Sequence, residues 1–154
     1  MNAVALALCI GIVAGLRSMT APALVSWAAH LGWIQVQGTP LAFMGSTVAV
    51  VLFTMAALGE YVADKLPRTP PRTAPPGLIA RLVTGALSGA CLSVAHGSTM
   101  PAGAALGAVG AVMGAFGGYQ LRSRLDRSLK LKDIFVAVPE DLIAIGFAYF
   151  LVSR

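Results

Sequence analysis

The chain has 154 residues, of which 57% are hydrophobic and only 11% charged, with a net charge of +5. Soluble domains carry about a quarter charged residues, so this composition excludes an ordinary soluble fold and points to an integral membrane protein with room for roughly four to five helical spans. Nucleic acid is not an expected partner, because the basic residues fall where membrane insertion and anionic headgroups would place them.

The first apolar segment runs from Val4 to Ala29 and carries GLRSMTAPA, Gly15 to Ala23, in its middle. It lacks a basic leader and continues past any cleavage point, so it reads as a retained segment. Charge within hydrocarbon is costly unless paired or hydrated, which makes Arg17 the leading functional candidate. Thr20 suits a helix cap and Pro22 a first helical turn, so the segment is expected to break near Arg17 and restart near Thr20. A break inside the membrane exposes N–H groups and the positive end of a half-helix, and beside a guanidinium that makes an anion site. The alternative is structural: Arg17 neutralises a buried carboxylate, with Glu60, Asp64, Glu140 and Asp141 as candidate partners, or snorkels to a headgroup.

The second segment, Leu41 to Leu66, ends with Glu60 and Asp64 one helical turn apart, next to Lys65. PRTPPRTAPPG follows, where repeated prolines end the helix. The third segment runs from Leu78 to Ala95 and the fourth from Ala102 to Leu121. In the fourth, Gly103, Gly107, Gly110, Gly114, Gly117 and Gly118 recur at helical spacing, a glycine zipper suited to close packing or to homo-oligomerisation. The fifth, Ile134 to Val152, contains Pro139 followed by Glu140 and Asp141, and reads as a second broken helix with acids in the turn after the break. Cys9 and Cys91 lie apart, with no disulfide or zinc spacing.

Lys65, Arg68, Arg72 and Arg81 flank the second connector, and Arg122, Arg124, Arg127, Lys130 and Lys132 fill the fourth, while the first and third carry none. The positive-inside rule makes the basic connectors cytoplasmic, so five spans place the N-terminus inside and Arg154 outside. ALGEYVADKL resembles AFGGYQLRSRL, and SWAAH resembles SVAH, which points to a two-helix internal repeat of the kind transporters use.

GLRSMTAPA, GEYVADKLPRTPPRT, the glycine-rich fourth segment and PEDLIAI together resemble the bacterial integral membrane family catalogued as domain of unknown function 4126, over nearly the whole chain. The spacing E-x-x-A-D-K-x-P, from Glu60 to Pro67, is its most specific element. The resemblance implies a small helical membrane protein and supplies no mechanism.

The expected architecture is all-α: one polytopic membrane bundle of about five segments, the first and fifth broken. The candidate substrate-binding residues are Arg17, Ser18, Thr20, Glu60, Asp64, Glu140 and Asp141. The expected function is a small inner-membrane transporter or channel for a small ion or anionic solute, with membrane lipids as partners and no cofactor or metal. The alternative is a non-transporting scaffold or lipid-binding protein. No HExxH, nucleophile elbow or metal-ligand cluster points to an enzyme.

Overall fold

The computed structural model describes residues 2–63, 74–129 and 133–153, the side chains of 122, 125–129 and 133–140 apart. Six helices, α1 Ala3–Leu16, α2 Thr20–His30, α3 Thr47–Ala63, α4 Pro75–Ala95, α5 Met100–Leu129 and α6 Asp133–Val152, account for most of them, with a 3-10 turn at Ala42–Gly45. No strand occurs among the described residues. Two stretches, Pro75–Ala95 and Met100–Leu121, are long and apolar enough to cross a membrane.

Local chemistry sets the ends. Asn2 caps α1 through Oδ1, which accepts the Ala5 N–H at 2.9 Å, and the Ser46 hydroxyl accepts the Ala49 N–H at 3.1 Å at the start of α3. Pro75 opens α4, where no N–H is needed, and Gly97 follows it with a φ of 74°, the left-handed exit that glycine adopts without strain.

Glycine contacts fix the helix directions. Gly11 lies on Gly107, and Gly15 on Ala111 and Gly114, so α1 and α5 run parallel. Gly85 lies on Gly107 and Gly89 on Gly103, so α4 runs against both. On the other side, Ser18 meets Glu60, Trp27 meets Thr54 and His30 meets Gly45, so α2 and α3 are antiparallel. From Asp141, beside Arg17, α6 reaches Tyr149, beside Trp33, and so runs with α2. Leu6 and Ile10 of α1 share one buried cluster with Val25 and Ala28 of α2 and with Ala148 and Leu151 of α6, residues that α2 and α6 reach only after leaving the Arg17 level. It follows that α6 and α2 both run against α1, and α6 packs on both α1 and α2.

Arg17–Met19 is therefore the turn of a helical hairpin. The single broken segment expected over Val4–Ala29 is corrected to two antiparallel arms of 14 and 11 residues, about 21 and 16 Å long. The start of α1 and the end of α6 therefore lie at one end of the bundle, opposite the end where α3 finishes and α4 begins. The break expected at Pro139 is corrected too: α6 runs unbroken from Asp133 to Val152. A proline in its second turn removes one ladder hydrogen bond, which a packed helix tolerates when neighbouring groups take up the freed carbonyl.

The three-way seam of α1, α4 and α5 is nearly bare backbone. A Cβ built on Gly107 would overlap the Gly85 carbonyl, and one on Gly110 the Leu8 carbonyl, so dispersion between touching backbones replaces side-chain packing. Larger residues, among them Leu6, Ile10, Val25, Met44, Leu92 and Leu151, fill the core between this unit and α2, α3 and α6. Ile34, Val36 and Leu41 close the end of that core, next to the exposed Trp33 and Tyr149, whose rings meet edge to face at 5.8 Å.

Candidate functional site

At the hairpin turn, Arg17 leaves the α1 helix with extended backbone (φ −139°, ψ 105°) while its N–H still donates to the Val13 carbonyl at 2.8 Å. The residue is 1% exposed, and its side chain is the largest fully buried one described. The guanidinium pairs with the Asp141 carboxylate from α6 and lies over the Tyr61 ring from α3, 5.2 Å from the centroid. Tyr61 is held in turn by Thr20, their oxygens 2.8 Å apart.

The next two residues lead into α2 and are held by Glu60. Its Oε1 accepts from the Ser18 N–H at 2.9 Å and from the Ser18 hydroxyl at 3.0 Å, and its Oε2 accepts from the Met19 N–H at 2.9 Å. Thr20, expected as the cap, is instead the first helical residue, and Met19 at the cap position makes no side-chain bond. A carboxylate from another helix thus meets the amides at the positive end of α2, where negative charge is favoured.

Arg81 completes the group. Its Nε donates to the Gly15 carbonyl at 3.0 Å, one Nη donates to the Gly77 carbonyl at 3.0 Å, and the other stands 3.9 Å from Glu60 Oε1. Two arginines and two carboxylates balance formally, and the carboxylates keep a little solvent contact, at 12% exposure for the Glu60 side chain and 15% for that of Asp141. Arg81 is six residues into α4, about 9 Å from its start, so the cluster lies near the end of the bundle where α3 finishes and α4 begins.

Five of the expected residues, Arg17, Ser18, Thr20, Glu60 and Asp141, thus converge on one turn. Asp64 lies outside the described residues, as does the Glu140 side chain. Arg81 and Tyr61 are additional members. Arg81 lies within the apolar third segment, which was the available signal, but its charge is equally accounted for by the neighbouring connector. No group of His, Cys, Asp or Glu suited to a metal ion occurs among the described residues. The histidines serve the backbone: His30 Nδ1 donates to the Gly45 carbonyl at 2.9 Å and His96 Nδ1 to the Leu92 carbonyl at 2.8 Å.

No curated protein and no solved structure matches the chain. The sequence profile of the Domain of unknown function (DUF4126) matches residues 4–153, and the chain belongs to that family.

Proposed function

We propose that the protein is a small inner-membrane transporter or channel for a small ion or anionic solute, with the hairpin turn as its polar site. The observation that carries this reading is the Glu60 carboxylate, bound by two amides, a hydroxyl and a nearby guanidinium inside an apolar bundle. Such a seat is built for an anion. An incoming anion takes the place of Glu60 and meets the same donors, and Arg17 with Asp141 keeps the turn in register meanwhile. Reconstituted wild-type protein should pass at least one of chloride, acetate and bicarbonate in a proteoliposome flux assay. Glu60→Gln should raise that flux, since a neutral amide competes less well for the donors, and Arg81→Gln should lower it. A folded wild-type protein that passes none of them argues for a non-transporting scaffold or lipid-binding protein, the reading favoured by the cluster's internal charge balance. In either case homo-oligomerisation would use surfaces other than Gly103, Gly107, Gly110 and Gly114, which lie against α1 and α4 of the same chain.

The membrane setting is supported by the surface. Leu52, Met55, Val83, Met113, Leu142 and Ile143 all stand more than half exposed on four different helices, an outward apolar cover that a water-facing protein does not carry. Trp27, Trp33, Phe43 and Tyr149 stand exposed towards one end of the bundle, and the basic residues that the sequence concentrates between 65 and 81 and between 122 and 132 favour a cytoplasmic position for the other. On this reading both termini lie on the far side, in place of the cytoplasmic N-terminus that five spans implied. Reporters fused at either terminus should read extracytoplasmic and one inserted between Arg68 and Arg72 cytoplasmic; opposite readings at the two termini would mean that α1 and α2 cross as one span.

A further inference from the structure

A groove of about 530 Å³ runs along α3, lined by Met19, Phe43, Val48, Leu52 and Phe53 together with the small Ala49 and Ala56, and with Ser46 as its one polar residue. Ala49, Phe53, Ala56 and Glu60 follow at spacings of four, three and four, so the groove lies on the same stripe of α3 as Glu60 and ends at the hairpin turn. We propose that this groove seats one acyl chain of a bilayer phospholipid, an inference that rests on the membrane setting above and not on transport.

Three features favour that occupant. The lining is apolar along its length, and the hydroxyl of Ser46 is engaged with the Ala49 N–H. From Ser46 to Ala56 the groove is about 15 Å long, half the roughly 30 Å of bilayer hydrocarbon, and so the depth of a single leaflet. Its Ser46 end lies beside Gly45 and His30, at the aromatic end of the bundle where headgroups sit. The two alanines are the smallest of the lining residues and leave room for a thin chain, and the gain is dispersion from shape, because lipid tails are as apolar as the lining. Since Met19 contributes its side chain to the groove and its N–H to Glu60, an acyl chain there braces the hairpin turn.

The test is native mass spectrometry of the protein extracted from membranes in mild detergent. Wild type should retain one phospholipid per chain, Ala49→Trp and Ala56→Trp should lose it, and Leu58→Trp, on exposed surface outside the groove, should keep it. Retention unchanged in both groove-filling variants, or no retained lipid in wild type, overturns the proposal. If the filled variants do not fold, Phe53→Trp in a Trp27→Phe, Trp33→Phe background supplies a second measurement. Reconstituted with brominated-acyl phospholipid and then diluted into unbrominated bilayers, its indole should stay quenched several-fold longer than one at Leu58→Trp. Equal recovery at the two positions overturns the proposal, and so does a Leu52→Cys disulfide dimer, which would put a second copy's α3 in the groove. A chain that fractionates with soluble protein without detergent removes the membrane setting itself, a result distinct from an empty groove.

Discussion

Arg17→Ala is expected to destabilise the protein by about 3–5 kcal/mol, the loss seen when one partner of a buried ion pair is removed. The figure follows from burial: the guanidinium is sealed beneath the hairpin turn, and its removal takes the cation from a mostly buried Asp141 carboxylate and from the Tyr61 ring. The partner observed fixes the rescue. Asp141→Asn added to Arg17→Ala should restore much of the loss, whereas Glu60→Gln should not, because Glu60 is held by Ser18, Met19 and Arg81. Arg17→Lys keeps the charge but not the planar face, and should fall between wild type and alanine. Denaturant unfolding in detergent across the Arg17 and Asp141 double-mutant cycle measures the coupling; simple additivity would mean that the two groups do not act on each other.

Gly107→Leu should be more damaging still. The added side chain would have to enter where Gly107 already touches Gly85 and Gly89 on α4 and Gly11 on α1, and the obstruction is backbone carbonyl and Cα, which no rotamer change can move aside. The loss should exceed the roughly 1–3 kcal/mol usual for overpacking, with the helices of the α1, α4 and α5 unit driven apart. Gly117→Leu provides the contrast, since nothing lies within 4 Å of a Cβ built there. That variant should be neutral or slightly stabilised, as leucine is the better helix former by up to about 1 kcal/mol. Comparable thermal stability for the two variants, measured by circular dichroism in detergent, would refute the packing account.

The sequence made the polar site more legible than the path of the chain through it. Arg17 in apolar surroundings, with carboxylates at Glu60 and Asp141 in others, announces a pairing problem that the fold has to solve, and it solves it with those residues. What periodicity does not carry is direction. A stretch that kinks and continues and one that turns back on itself have the same apolar spacing, and the three residues Arg17, Ser18 and Met19 fit either. The distinction mattered: along a straight span Arg17 lies too deep to reach Glu60, and reversal at that residue brings both to the same level. Pro139 erred in the other direction, because proline lowers the odds of a helix without deciding them once tertiary contacts compensate. Tyr61 was inaccessible for a simpler reason, since nothing about a tyrosine near a helix end shows that a guanidinium rests on its ring.

The Arg17 and Asp141 pair also has a consequence for biogenesis. Its two halves come from opposite ends of the chain, so during synthesis the first hairpin is made long before α6 can supply its carboxylate. Until then Arg17 lacks its Asp141 contact. The hairpin turn is therefore closed over Arg17 by the last helix to be made, and a chain that ends before α6 lacks that closing contact.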